Sequence, residues 1–339
     1  MFRIAADVVG KVLARVPDIP SIDPSAAPRR AIDLVNFSDL VMAKLCGFWI
    51  GLPDTPPAGQ APLMVPGGRL EEHVGTPRCP GNFATASRYI FSPHPRPAVE
   101  SAGQEQGAAV RNAVEQWLKR SPPLGDLAKQ IRAGLGTGAS DADFALSLAG
   151  VLLGFPPTVQ GNFIRTMETW IKDESLWLHQ QALFEQGGAP DSHPAAKAAL
   201  REALLATMRE RPVPEMLWRT PVRHSKPDFA PGSRVVLGIA SALTDPLAPK
   251  ELMFGRDDPA KAPTVHGCPG YDMAMGVLLA MIGGLLNAGT LRPTGSPVLL
   301  IHTPLAAAPA TPPPPPPPPA RARGAAASPA PDATPSPSA

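Results

Sequence analysis

One cysteine lies between two glycines directly before a long apolar segment, in the run His266-Gly267-Cys268-Pro269-Gly270. A thiolate on a loop loosened by glycine, at the N-terminal end of a helix, is well placed to ligate haem iron. Free cysteine is also one of the most often buried residue types. The same pattern therefore has a second interpretation, a small buried cysteine in the loop before a helix.

The segments upstream of Cys268 follow one another in a recognisable order. They are an amphipathic helix ending in Gly51-Leu52-Pro53, an apolar run from Asp141, a helix with Arg209, and short apolar runs around Pro231-Gly232. From about residue 33 to residue 304, this order resembles the C-terminal three quarters of a cytochrome P450. The resemblance implies a mainly helical fold with a small β-sheet, N-terminally truncated. Its expected parts are an extension over 1–30, a haem-binding domain over 31–305 and a disordered tail over 306–339.

The cysteine loop carries the closest motif match. In the family it reads Phe-x-x-Gly-x-His/Arg-x-Cys-x-Gly, and His266, Cys268 and Gly270 match, whereas Lys261 and Thr264 replace the phenylalanine and the first glycine. The resemblance implies that Cys268 ligates the iron of haem b and that His266 and Gly270 contribute to cofactor binding.

Arg219 falls where the family has a strand arginine against a haem propionate, and His266 where it has a second propionate partner. Each alone is more often a solvated surface charge. Pro231-Gly232, between two short apolar runs, indicates a turn and a β-hairpin without reference to the family.

The helix before Arg219 resembles the family's Glu-x-x-Arg helix, whose buried ion pair braces the cysteine loop. Arg209 supplies the arginine, but Ala206 stands in place of the glutamate. A buried arginine without its carboxylate costs several kcal/mol, so we expect Arg209 to find another acid or to face water.

The apolar run from Asp141 resembles the family's distal helix over the haem, whose centre reads Ala-Gly-x-Asp/Glu-Thr-Thr. Gly154 and Thr158 remain, while Pro156 and Pro157 replace the acid and the first threonine. Prolines inside a helix remove backbone donors and favour a kink; the alternative is that they end one helix and start the next. Because proline cannot supply a proton, Thr158 or an ordered water would have to act as the catalytic donor.

The functional hypothesis is a haem-thiolate oxidoreductase that oxidises an apolar small molecule, such as a fatty acid or another lipid. It would act by monooxygenation with an electron-donor protein or by peroxygenation with peroxide. One alternative is a haem-binding but catalytically defective protein, or a split protein that a second chain completes. Another is a helical scaffold without haem.

The composition limits the classes of binding partner and the location that we expect for this protein. A net charge of +2 without a basic stripe gives no sign of nucleic-acid binding. No apolar stretch is expected to reach transmembrane length and no signal peptide is recognised, which predicts a cytoplasmic protein. Cys46, Cys79 and Cys268 lack zinc-finger spacing. The run Pro312–Pro319 predicts a polyproline II segment, either a ligand for aromatic-lined grooves or a tether.

Overall fold

The structure, a computed structural model, describes residues 2–16, 18–19, 29–52, 97–186, 193–219, 229–248, 252–255, 267–293 and 298–302. Predictions that concern His266, Cys79 and the tail over 306–339 lie outside these residues. All described residues fall within one unit, Met1–Ala308.

Helices dominate the described part of the chain. They are α1 (Phe2–Leu13), α2 (Leu34–Ile50), α3 (Pro97–Leu118), α4 (Asp126–Leu135), α5 (Asp141–Lys172), α6 (Leu176–Glu185), α7 (Pro194–Glu210), α8 (Ile239–Leu243) and α9 (Tyr271–Asn287), with a 3₁₀ turn at Leu252–Phe254. The strands are β1 (Asp18–Ile19), β2 (Arg29–Asp33), β3 (Met216–Arg219), β4 (Val235–Gly238), β5 (Thr290–Pro293) and β6 (Val298–His302). The predicted mainly helical class with little sheet is confirmed.

Four helices form the centre of the core. Helix α1 packs on α2 and α9, and α5 also packs on both α2 and α9. Helices α1 and α9 approach closely at Gly284, where a Cβ would lie 2.4 Å from a methyl carbon of Val9. The segment predicted as an N-terminal extension thus includes a helix with buried Ala5 and Val9 that packs against α9.

The ends of α2 and α5 follow from local chemistry. Asp33 caps α2 by accepting from the backbone N–H groups of Val35 and Asn36, and Gly51 ends the helix with a left-handed φ of 92°. Ser140 and Asp143 form a reciprocal capping box at the start of α5. The predicted helix with its Gly-Leu stop is confirmed.

Helix α5 runs without interruption from Asp141 to Lys172, through Pro156 and Pro157. The alternative in which the prolines end one helix and begin another is therefore wrong. This helix is also long and apolar enough to cross a bilayer, which corrects the expectation that no stretch reaches that length. Its packing against α2, α3, α7 and α9 is that of a core helix in a globular domain.

Two antiparallel sheets complete the described structure. The larger has the order β1-β2-β6-β5, and the smaller pairs β3 with β4 from Met216 opposite Gly238 to Arg219 opposite Val235. Pro231 and Gly232 form a turn closed by the N–H of Ser233 on the carbonyl of Ala230, with φ of 81° at Gly232. The predicted turn and hairpin are confirmed, although the turn lies within a long connection between the strands.

Candidate functional site at Cys268

Cys268 lies three residues before α9, in a loop whose backbone is held on both sides. Its N–H donates to the carbonyl of Phe254 over 2.7 Å, and its carbonyl accepts from the N–H of Tyr271 over 3.3 Å. The thiol is half-buried. Since these backbone groups bond to other backbone groups, the loop keeps its shape while the sulfur stays partly accessible at the positive end of the helix dipole.

The centre of α5 lies directly beside this loop. A Cβ at Gly270 would lie 3.4 Å from the Phe155 ring and 4.0 Å from the Cys268 sulfur, so ring and sulfur flank the same point. The Phe155 ring in turn makes an edge contact with Trp49 of α2, with centroids 6.0 Å apart. The thiol therefore has an apolar neighbour from the helix that the sequence analysis placed opposite it.

Cys46 provides a contrast within the same chain. It is buried in α2, and this burial raises the pKa of its thiol to about 12. A thiol that resists ionisation in the core is a poor metal ligand, because the thiolate is the ligating form. Of the two cysteines that the structure describes, Cys268 is thus the one suited to bind a metal.

Thr158 is placed at the centre of α5, but its hydroxyl is engaged by its own helix. It contacts the carbonyl of Gly154 over 2.5 Å and that of Phe155 over 3.0 Å. Pro156 and Pro157 remove the N–H groups that would bond to the carbonyls of Leu152 and Leu153, which are not the carbonyls that the Thr158 hydroxyl contacts. The Thr158 hydroxyl makes the local bond to its own helix that is common for threonine, so its proton is donated to the backbone and its oxygen keeps the capacity to accept a hydrogen bond.

Arg219 ends β3 with an exposed side chain, and its guanidinium donates to the carbonyl of Trp218 over 2.8 Å. In the described part of the structure it is not brought to the Cys268 loop. His266, the other predicted propionate partner, lies outside the described residues, whereas Gly270 caps α9 next to the thiol.

Arg209 finds no second acid among the described hydrogen bonds. Its guanidinium donates to three backbone carbonyls at and beyond the end of α8, those of Leu243 at 3.1 Å, Asp245 at 2.6 Å and Ala248 at 3.0 Å. The residue is partly exposed, so these carbonyls replace the expected acid while part of the guanidinium still faces water. Ala206, in the glutamate position, is exposed.

Sequence reasoning gave no role to three residues that support the loop. Tyr271 is buried at the start of α9, its ring makes an edge contact with Phe254, and its hydroxyl lies 2.5 Å from the Arg201 guanidinium. The position of Tyr271 beside Cys268 was a usable signal. Arg201, 70 residues away, carried none.

The donor set at Cys268 fits a haem. Among the described residues, no group of three His, Cys, Asp or Glu side chains lies together as a metal site. A metal held by this thiolate would need its other ligands from outside the described residues, and a porphyrin brings four nitrogens. The Phe155 ring of α5 lies beside the sulfur, so a macrocycle bound between α5 and Cys268 requires this ring to move aside.

Several solved structures have a fold similar to that of this chain. CYP154A1 from Streptomyces coelicolor matches with a TM-score of 0.52 and 15% identity, over 89% of this chain and 71% of that chain. A mutant of P450 EryK in complex with erythromycin B matches with a TM-score of 0.55 and 15% identity, over 89% and 74%. The tirandamycin C-bound P450 monooxygenase TamI matches with a TM-score of 0.53 and 14% identity, over 87% and 65%.

Comparison with protein-family models and with curated proteins gives no match. The likeness is therefore one of three-dimensional structure, and it confirms the resemblance inferred from the order of the sequence motifs. From its helices, its two sheets and the cysteine loop before α9, this chain has the fold of the cytochromes P450.

Proposed function

We propose that the protein is a haem-thiolate oxidoreductase in which Cys268 is the axial ligand of haem b. The observation that carries this proposal is the half-buried thiol at the N-terminal end of α9, in a loop fixed by hydrogen bonds to Phe254 and Tyr271. The positive end of the helix favours negative charge on the sulfur, the form that binds iron.

When bound, a haem with a thiolate ligand supplies the chemistry that cleaves an O–O bond. In this chain Cys268 binds the iron and Gly270 leaves room beside the sulfur. The proposed partners of the two propionates are His266 and Arg219, whose exposed guanidinium would have to leave the Trp218 carbonyl to form this charge-assisted bond. Phe155 limits water beside the sulfur because its ring offers no hydrogen-bonding group.

The proposed reaction is the oxidation of an apolar small molecule, such as a fatty acid or another lipid. Either dioxygen with an electron-donor protein or peroxide supplies the oxygen. Thr158 is the proposed polar contact on the opposite side of the site. Because its proton is donated to the carbonyl of Gly154, it would orient a water or a peroxide by accepting a hydrogen bond. A Thr158 hydroxyl that only accepts favours peroxide as the oxidant, because hydrogen peroxide carries the protons that the site does not supply. The proposed location is the cytoplasm.

A second candidate is a haem-binding protein with little oxidase activity, either defective or completed by a second chain. One observation favours it. The centre of α5 has Pro156 and Pro157 where an acid and an alcohol would deliver protons, and the remaining hydroxyl, that of Thr158, is engaged by the backbone.

The test is the carbon monoxide difference spectrum of the purified, haem-supplemented full chain after reduction with dithionite. We expect a red-shifted Soret band that is absent in Cys268→Ala. Cys46→Ala is the matched control, since it removes a buried thiol from α2, and it should keep the band. Haem retention without this band in the wild type would contradict thiolate ligation. Failure of all three proteins to retain haem would favour a helical scaffold.

Peroxide then separates the two candidates. Turnover of lauric acid with peroxide, but not with an electron-donor pair, supports the peroxygenase form of the proposal. A haem-loaded protein inactive with both oxidants would support the second candidate instead.

A further inference from the structure

Tyr271 is the first residue of α9 and lies three positions after Cys268. Its side chain is buried, with 5% of its surface exposed. A buried tyrosine normally gives its hydroxyl a hydrogen-bond partner. The partner here is Arg201 of α7, whose Nη2 lies 2.5 Å from the Tyr271 oxygen. Since arginine can only donate, the hydroxyl oxygen accepts.

Tyr271 also contacts both parts of the structure that hold the Cys268 backbone. Its own N–H donates to the Cys268 carbonyl over 3.3 Å. Its ring packs edge-on against Phe254, with centroids 4.8 Å apart, and Phe254 supplies the carbonyl that accepts the Cys268 N–H. A shift of the Tyr271 ring would therefore disturb the loop from two sides.

Arg201 is well suited to fix that ring. It projects from α7, a separate helix that packs against α9. The same side chain also lies 3.7 Å from the carboxylate of Glu202, the next residue in α7. The side chain of Arg201 is 34% exposed, so most of it is packed and its position is restricted.

We propose that Arg201 is a positioning residue for the Cys268 thiol and acts through the hydroxyl of Tyr271. The hydrogen bond ties α7 to the first turn of α9, and Tyr271 passes the restraint to the loop through its backbone N–H and through Phe254. The importance of this restraint for catalysis rests on the proposed haem-thiolate function, but the restraint itself is a property of the protein without haem.

The test measures the rate at which iodoacetamide alkylates Cys268 in the full-length apoprotein, read by peptide mass spectrometry. Tyr271→Phe removes only the hydroxyl, and Arg201→Gln removes the guanidinium. Losing one such hydrogen bond should raise the opening of the loop, and with it the rate at Cys268, about threefold to tenfold. The double variant should be no faster than either single variant, because both break one interaction.

Two controls keep the result specific. Arg211→Gln changes an exposed arginine just beyond the end of α7 and should leave the rate at Cys268 unchanged. Buried Cys46 reports global opening in every variant, and its labelling should stay slow. Arg201→Lys, which retains a charged donor, should restore part of the protection. A rate at Cys268 within twofold of wild type in both single variants would overturn the proposal, and so would equal acceleration at Cys46.

Haem binding gives the second measurement. If the thiolate is the ligand, Tyr271→Phe and Arg201→Gln should lose part of the red-shifted carbon monoxide band while still retaining haem. Unchanged bands in both variants would overturn the positioning role toward haem. If no protein, wild type included, binds haem, the proposed function fails, whereas the alkylation rates still decide whether Arg201 positions the thiol.

Discussion

The loop before α9 and the centre of α5 lie side by side, and they satisfy their backbone groups in opposite ways. In the loop, the N–H and carbonyl of Cys268 bond to the backbone of Phe254 and Tyr271. In α5, two prolines remove backbone donors and the Thr158 hydroxyl bonds to the carbonyls of Gly154 and Phe155.

This difference concerns which side chains remain suited to the proposed chemistry, Cys268 in the loop or Thr158 in α5. The bonds that fix the Cys268 loop are made by its backbone and do not use the thiol proton. The Thr158 hydroxyl, in contrast, donates its proton to a carbonyl of its own helix. We therefore expect binding at Cys268 to be better preserved than proton delivery from α5.

The largest effect should come from Arg209, near the end of α7. Arg209→Ala removes three hydrogen bonds from a charged donor to the carbonyls of Leu243, Asp245 and Ala248. We expect the free energy of unfolding to fall by about 3 kcal/mol, since hydrogen bonds to charged groups contribute ~1.5–3 kcal/mol each and the site is partly exposed. Urea denaturation measures this loss.

Arg211→Ala is the matched control, because Arg211 is exposed two residues further on. It should change stability by no more than about 0.5 kcal/mol. A loss below about 1 kcal/mol in Arg209→Ala would show that water satisfies the three carbonyls equally well. The hydrogen bonds of Arg209 would then contribute little to the stability of the protein.

The next effect concerns the engaged hydroxyl of α5. Thr158→Val should destabilise the protein by about 1 kcal/mol, because the hydroxyl that contacts the carbonyls of Gly154 and Phe155 is lost. Thr169→Val in the same helix is the control, since its hydroxyl bonds to one carbonyl, that of Arg165, where no proline interrupts the helix. Thermal or urea unfolding compares them. Equal effects would mean that the helix does not depend on the Thr158 proton, leaving it for catalysis.

The smallest effect tests where α5 faces the proposed haem. Gly154 and Gly150 both lie inside α5, with no atom within 4 Å of an added Cβ. Alanine at either position should stabilise the apoprotein by about 0.5–1 kcal/mol. If the centre of α5 covers the haem, only Gly154→Ala should lower haem retention, measured by absorbance after gel filtration. Equal retention in both variants would place the haem away from this turn.

Local signals in the sequence predicted several elements well. The Asp33 cap and the Gly51 stop define α2, and Pro231-Gly232 gives the predicted turn with a positive φ at the glycine. Each of these signals acts between neighbours in the chain, where residue type fixes the backbone directly.

Contacts between distant residues were not predictable in the same way. Arg209 was expected to need an acid, yet its partners are carbonyls 34 to 39 residues along the chain. Nothing in the sequence marks a carbonyl as a partner, because every residue has one.

The sequence by itself determined the helix that ends at Gly51, the turn at Pro231-Gly232, and a cysteine on a glycine-flanked loop before an apolar helix, because these depend on residues close together in the chain. Only the tertiary structure decided which groups surround that cysteine. Phe155 beside the sulfur, Arg201 on Tyr271, and α1 packed on α9 at Gly284 all depend on how helices pack. Packing is set jointly by the whole core, so the pattern of one segment does not reveal it.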